Sequence, residues 1–366
     1  MQRVAMRKIL ISIFTIIVVI ITTFATTYAW VGILTASSIE QFQLNLKTQE
    51  ESNYALLIST TEDGLFKEAL ADEDYINIKR QILRNMGKNV EMLTDSGIIN
   101  EYNNIQLEPV SVDKNKITSD EFYLISKNSL NRQSTNKRLK FDLYLSLDYI
   151  GEEAITEDTN IIVNLLLEDI QNTLSGNTRL GSVANGITYP SNGTIAPNFL
   201  GITHTDHVTV NSASSARVAL SLYSPILLED DSYSNHPELS EPYHQVIYQG
   251  GSNNPYYDEQ TDTYSFGGIL PEEYNLAYQE YKSIYNLDPS RFYIPEEALN
   301  RGDLELTNQN STLVNSDFGF GIINGKRTKI KITVDFWFEG WDADCFEIIN
   351  RNPVTLNLVF VTAKDE

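Results

Sequence analysis

The sequence predicts an all-β body, an antiparallel β-sandwich of jelly-roll type with a few inserted helices, preceded by one N-terminal transmembrane or signal helix. Three observations predict it. Short ribbons alternate apolar and polar residues with a period of two, stretches rich in Gly, Asn, Ser and Pro separate them, and an uncharged apolar run opens the chain. A strand with one face in a core and one in water alternates in this way, and many such strands joined by turns build two stacked sheets. The strand–helix–strand rhythm of a parallel sheet does not appear.

The apolar run is "ILISIFTIIVVIITTFATTYAW", residues 9–30. It follows Arg3, Arg7 and Lys8, and no further charge occurs before Glu40. About 20 apolar residues span a bilayer as a helix. The basic residues ahead of them place the N-terminus in the cytoplasm and everything after Trp30 outside. The run ends in small residues, and if a peptidase cuts after Ala29, then Thr27 and Ala29 occupy the two positions such enzymes read. Residues 1–30 are therefore a signal peptide or a retained signal anchor, two alternatives that the sequence leaves open. Both deliver residues 31–366 as an extracellular domain, released or held at the cell surface.

Along the body, "QFQLNL" (41–46) places Phe42, Leu44 and Leu46 on one face. "EFYLIS" (121–126), "HVTVNS" (207–212) and "RVALSLY" (217–223) read as further strands. In "KRLKFDLYLSLDYI", Leu139, Phe141, Leu143, Leu145, Leu147 and Tyr149 share one face, while Lys140, Asp142, Tyr144, Ser146 and Asp148 share the other. "FGFGIINGKRTKIKITVDFWF" reads as a hairpin in which Asn324-Gly325 supplies the tight turn. Its return strand turns Ile330, Ile332, Val334, Phe336 and Phe338 inward. The last strand, "VTLNLVF", does the same with Val354, Leu356, Leu358 and Phe360.

Two segments follow helical spacing instead. Tyr75, Ile78, Ile82 and Met86 recur on one face of residues 72–88, with acids at the start and Gly87 at the end. Tyr274, Tyr278, Tyr281 and Tyr285 form a stripe over residues 271–287, behind Pro271. Residues 180–205 and 225–268 read as long loops, the second belonging to a Tyr-rich loop and helix insertion around 225–300.

The chain has 366 residues, enough for a large core, and carries a formal net charge of −22. That acidity repels phosphate backbones and excludes nucleic acid as a partner. Cys345 is the one cysteine, so no internal disulfide forms and stability rests on burial.

Motifs for chemistry are sparse. "HTDH" (204–207) gathers His204, Asp206 and His207, but on a strand the first two share a face and the third points away. Acidic groups at 72–74, at 229–231 and at Asp342 and Asp344 offer oxygen ligands suited to calcium, without EF-hand spacing. The metal candidates are therefore His204, Asp206, Asp342 and Asp344; no cofactor is expected, and calcium is the one ion that such acids suit. "EGWDADCF" (339–346) reads as a structural corner that tucks Trp341 across the end of the core. Arg301-Gly302-Asp303 is a tripeptide too short to assign. No catalytic fingerprint of hydrolases, metalloproteases or nucleotide enzymes is present.

The junction "TTFATTYAWVGILTASS" resembles the exported leader of the TasA/camelysin family of Gram-positive bacteria, with Thr27, Tyr28, Ala29 and Trp30 matching its end. The string "KITVDFWFEGWDADCFEIINRNPVTLNLVF" resembles the closing part of exported bacterial proteins with such leaders. The resemblance implies a jelly-roll sandwich and a leader processed at Thr27, Ala29 and Trp30 by a dedicated signal peptidase. It also implies assembly with copies of itself, or with other surface proteins, into the fibres of a biofilm matrix. In such fibres an N-terminal strand completes the sheet of the next subunit. The matching segment here is 39–47, with Phe42, Leu44 and Leu46 as its inward residues. The chain is larger than the usual matrix subunit, and residues 225–300 have no place in the match.

These readings converge on a non-catalytic exported structural protein of the cell surface or matrix that self-assembles by strand donation. The alternative is a membrane-anchored module that binds glycan or peptide through Tyr-rich loops, with Tyr256 and Tyr257 stacking on sugar rings. A third reading, an exported hydrolase, requires acids that meet only in the fold.

Overall fold

The computed structural model describes residues 39–47, 54–105, 107, 110–112, 122–124, 138–149, 159–160, 162–165, 174–176, 178–182, 207–211, 215–229, 231–249, 256–258, 263–265, 304–307, 311–314, 320–323, 325–339 and 354–363. These are mostly antiparallel β-sheet with few helices. In chain order come β1 (Ile39–Lys47), β2 (Tyr54–Ser59), helices α1 (Asp72–Asn85) and α2 (Asp95–Asn103), β3 (Val110–Val112), β4 (Phe122–Leu124) and β5 (Leu139–Tyr149). Then follow β6 (Thr159–Asn160), β7 (Ile162–Leu165), β8 (Leu174–Gly176), β9 (Thr178–Ser182), β10 (His207–Asn211), β11 (Ala216–Leu222), β12 (Ile226–Leu227) and β13 (His244–Gln249). The last are β14 (Tyr256–Asp258), β15 (Thr263–Ser265), β16 (Leu304–Thr307), β17 (Ser311–Val314), β18 (Gly321–Ile323), β19 (Lys326–Phe338) and β20 (Val354–Ala363). Among the described residues no helix is long and apolar enough to cross a membrane. Residues 9–30 lie outside them, as do Thr27, Ala29 and Trp30.

The largest sheet has nine strands and is organised by β19, the longest of them. One edge of β19 pairs with β12 and then β11, and the other with β18 and then β5, all antiparallel. The β18–β19 turn has the two-residue length the sequence predicts, Ile323 pairing with Lys326 and Gly325 at φ 73°. Glycine adopts that angle at no steric cost, which most other residues do not.

A five-stranded sheet runs β1, β20, β7, β17, with β8 also on β20. Among the described residues three strand pairs are parallel where the sequence predicts antiparallel ones, namely β1 with β20, β10 with β15 and β13 with β16.

Alternation delivers the core. Leu139, Phe141, Leu143, Leu145 and Leu147 of β5 are buried together with Ile330, Ile332, Val334, Phe336 and Phe338 of β19. Leu356, Leu358 and Phe360 of β20 join the same cluster, so the two large sheets share one core. Each such side chain contributes about 1.5–3 kcal/mol on leaving water.

Helix α1 adds Ile78, Ile82 and Leu83 to that core. Its N-cap, Ala71, has no side chain to accept a backbone hydrogen bond. Asp74 compensates by reaching back to the Ala71 N–H at 2.8 Å while holding Lys67 Nζ at 2.8 Å. The helix ends in a left-handed Gly87 (φ 76°), with Lys88 N–H on the Leu83 carbonyl and Gly87 N–H on that of Arg84. That double closure satisfies the last free carbonyls of the helix.

The sequence reading leaves 225–268 as loop, whereas β13 is an integral strand of the main sheet, antiparallel to β11 from Arg217–Gln249 to Leu222–His244. The Tyr-striped segment 271–287 lies outside the described residues.

Candidate functional site

Strand β19 has two faces, and the one turned away from the core carries Lys329, Lys331, Thr333, Asp335 and Trp337, followed by Glu339. Simple alternation predicts that this face meets water. Instead Lys329 is 1% exposed and Asp335 0%, and Thr333, Trp337 and Glu339 are also buried. A charge taken out of water needs a close partner, because its lost hydration costs several kcal/mol. Each charge here has one. Asp335 Oδ1 lies 2.8 Å from Arg138 Nη1, whose side chain is 8% exposed. Lys329 Nζ donates to the Asp231 carbonyl at 3.0 Å and lies 3.7 Å from Glu62 Oε1. Lys331 Nζ sits 3.1 Å from Asp142 Oδ2 and 4.9 Å from the Tyr223 ring centre, while the Thr333 hydroxyl donates to Asp142 Oδ1 at 2.6 Å. The Trp337 indole donates to Glu339 Oε2 at 3.2 Å.

A strap, residues 231–239, lies over part of this face and is built from two short 3-10 turns. Its Tyr233 ring rests 6.4 Å from the rings of both Tyr144 and Tyr223. The Tyr233 hydroxyl accepts the Lys331 N–H and donates to the Ser224 carbonyl, both at 2.9 Å, and the Tyr233 N–H donates to Glu62. Burial pushes the phenols of Tyr144, Tyr233 and Tyr223 above their ordinary range, and at Tyr144 the nearby Asp142 carboxylate adds to the effect. All three therefore stay protonated at neutral pH.

The strap is closed on itself by His236, whose Nδ1 lies 2.9 Å from Glu238 Oε1 and whose Nε2 lies 2.8 Å from Asp231 Oδ2. Only the doubly protonated ring donates to both. The hydrogen bond to Glu238, then that to Asp231, raises the His236 pKa, and both carboxyls are lowered chiefly by His236. The proton on His236 thus holds the strap fully below the ordinary value of about 6.5, and the contribution is lost as pH rises through the raised value. At the acid end the two carboxylates lose theirs as pH falls through their lowered values. Exchange protection of the 231–239 amides, corrected for the intrinsic rate, is therefore expected to drop as pH rises above about 6.5 and through the raised His236 value. His236→Gln should abolish that step, and a step that persists in the variant would assign it to another group.

Beside the strap, an open cleft of about 540 Å3 separates α1 from the end of the main sheet. One wall is a flank of α1 bearing Asn77, Arg80, Gln81, Arg84 and Asn85. The other carries Thr60, Thr61 and Glu62 with Asp142 and Tyr144 of β5. The wall stands where it does because β2 stops short, its last residue, Ser59, pairing with Tyr144. The backbone of β5 before Tyr144 thus has no strand neighbour on that side. Gln81 takes the neighbour's role: its Oε1 accepts the Asp142 N–H at 2.8 Å and its Nε2 donates to the Asp142 carbonyl at 3.3 Å and the Thr60 carbonyl at 2.7 Å. One turn later, Asn85 Nδ2 donates to the Lys140 carbonyl at 2.8 Å. Two helix amides thereby close a sheet edge that would otherwise template another chain.

Of the residues singled out from sequence, His204, Asp206, Asp342, Asp344 and Cys345 lie outside the described residues. His207 opens β10 opposite Ser182. Asp72, Glu73 and Asp74 form the first turn of α1, and Glu229 pairs with Arg327 at 3.5 Å. Among the described residues no three His, Cys, Asp or Glu side chains could hold a metal ion. Asp231 and Glu238 sit on opposite nitrogens of one imidazole and cannot share an ion with it. Tyr256 and Tyr257 lie on β14, opposite Ser265 and Tyr264. Phe42, Leu44 and Leu46 align in register with Leu356, Leu358 and Phe360, and the Leu46 side chain packs half-buried against the core.

Sequence reasoning missed Arg138, Asp335, Glu62, Gln81 and His236. One signal was available: Trp337 shares the outward register with Asp335 and Glu339, and a tryptophan there indicates a covered face. Comparison with family models, with curated proteins and with solved structures gives no match to this chain.

Proposed function

We propose that this chain is an exported, non-catalytic structural protein of the cell surface or extracellular matrix, which joins copies of itself by exchanging β1. In this reading residues 9–30 enter the membrane as a helix during export, Thr27, Ala29 and Trp30 mark the processing point, and the two large sheets form a jelly-roll-like sandwich. The observation that carries it is the seat of β1. It is an edge strand, parallel to β20 and joined in register from Gln41–Thr355 to Lys47–Val361. An edge strand near a chain end can leave and be replaced by its twin from another copy without threading, since β20 presents the same row of backbone groups to either. Phe42, Leu44 and Leu46 then meet the same β20 positions. The non-catalytic part is supported by the main sheet's outer face, where Lys329, Lys331 and Asp335 are each engaged in an ion pair.

The test is light scattering on a chain beginning at Trp30, beside one that lacks everything before Glu51. The first is expected to form concentration-dependent oligomers, and the second to remain monomeric and to bind an added 39–47 peptide. Oligomers of unchanged size in the shortened chain, or monomers at every concentration in the longer one, would refute strand exchange.

A further inference from the structure

The cleft between α1 and the end of β5 differs from an ordinary ligand pocket in its lining. Pockets for small organic ligands, typically about 300–1,000 Å3, are lined mostly by apolar side chains with a few polar groups to orient the ligand. At about 540 Å3 this one has the usual size, yet every side chain lining it carries a hydrogen-bonding group and none is aliphatic. Such a lining favours a ligand rich in hydrogen-bonding groups over one with a large aliphatic side chain.

Charge narrows the choice further. The cleft holds two guanidinium groups and two carboxylates, and each is compensated from outside it. Arg80 pairs with Asp95 at 3.0 Å and Arg84 with Glu91 at 2.7 Å, while Asp142 pairs with Lys331 at 3.1 Å and Glu62 with Lys329 at 3.7 Å. A charged ligand would meet groups of both signs, so attraction to one pair is offset by repulsion from the other. A neutral one leaves every pair intact.

Hydrogen-bonding capacity nonetheless remains. A guanidinium has five N–H donors, and the bonds above use two on Arg80, to Asn77 and Asp95, and one on Arg84. Thr61 presents a hydroxyl on an exposed residue, able both to donate and to accept. The cleft walls are also fixed, because Gln81 and Asn85 bolt α1 to β5 and Tyr233 braces Glu62 and Tyr144 from behind. A rigid surface of this kind suits a ligand whose own groups each donate and accept, on neighbouring atoms, with no net charge.

We propose that this cleft is a binding site for a neutral saccharide, recognised by hydrogen bonds from the α1 flank and the Thr60–Glu62 corner. Arg84, Asn85 and Thr61 at the rim are exposed, so the cleft admits a sugar unit within a longer chain as well as a free one. The site is separate from the β1–β20 edge, and its occupancy does not depend on self-assembly.

The test is a glycan array carrying neutral and anionic oligosaccharides, probed with the full-length chain in a sugar-free zwitterionic detergent. Titration of the strongest neutral hit follows, with the free monosaccharide as competitor to separate a single unit from a chain segment. At least one neutral oligosaccharide is expected to bind. Asn77→Ala combined with Arg84→Ala should weaken that binding by about tenfold or more, the loss of one or two hydrogen bonds. Thr61→Ala on the opposite wall should weaken it too, which guards against a helix variant that fails to fold. Arg327→Ala, whose side chain pairs with Asp148 and Glu229 away from the cleft, should bind as the parent does. Absence of any neutral hit, retention of anionic glycans alone, or unchanged binding in both cleft variants would overturn the proposal.

Discussion

Asp335→Ala is expected to lower the free energy of unfolding by about 3–5 kcal/mol, the cost of removing one partner from a buried ion pair. Asp335 is wholly buried and its carboxylate lies 2.8 Å from Arg138, itself 8% exposed. Arg217 is also buried, opposite Trp337 on the neighbouring strand and therefore on the same face. Without the Asp335 carboxylate, that face keeps two buried guanidinium groups, Arg138 and Arg217, and Glu339 is the one fully buried carboxylate left there among the described residues. The variant is checked by urea unfolding followed through tryptophan fluorescence. Arg138→Met added to Asp335→Ala should cost less than the two single changes together, because the second change removes a charge the first left stranded. A loss under about 1 kcal/mol for Asp335→Ala would mean that water reaches the pair.

Phe336→Ala is expected to cost a similar amount, about 3–5 kcal/mol, through lost transfer energy and the cavity left behind. The ring is fully buried, packs edge-on against Phe338 at 5.3 Å, and lies between Val218 of β11 and Leu139 of β5 in the ladder. Phe360→Ala, in the other sheet but the same core cluster, should cost about as much. Each variant should unfold in a single transition with an unchanged slope against urea, since one core serves both sheets. Two separate transitions in either variant would show that the sheets melt independently. Phe336→Leu, which preserves most of the volume, should cost less than about 1.5 kcal/mol.

The core of this fold was legible in the sequence because alternation reports a strand with one wet face. The inward rows of β5 and β19, and Leu356, Leu358 and Phe360 of β20, fall where the pattern puts them, as does the tight turn at Gly325. Alternation fails where both faces are covered. β2, "YALLIS", is apolar nearly throughout and buried from Ala55 to Ser59, so it shows no period at all. Helix α2 escapes notice because only Ile98 and Tyr102 of its nine residues are buried, one turn apart. Its start was signalled only by Thr94, whose hydroxyl accepts the Gly97 N–H.

The cleft and the outer face of β19 were illegible for another reason. Their partners are distant in sequence: Gln81 meets Asp142, Glu62 meets Lys329, and Arg138 meets Asp335. A lone Lys or Asp in a strand looks solvated until the segment that covers it is placed. The parallel pairing of β1 with β20 is equally invisible, because a strand's own pattern does not state its neighbour's direction.

That pairing sets an order of events. A ribosome makes β1 before any other strand described here and β20 after all of them, yet the two lie side by side. Loop closure over nearly the whole chain precedes their contact, which places it among the slow, non-local steps of folding. Of the strands described here, the first synthesised is thus among the last to find its seat, and until β20 is made the nascent polypeptide carries β1 without that neighbour.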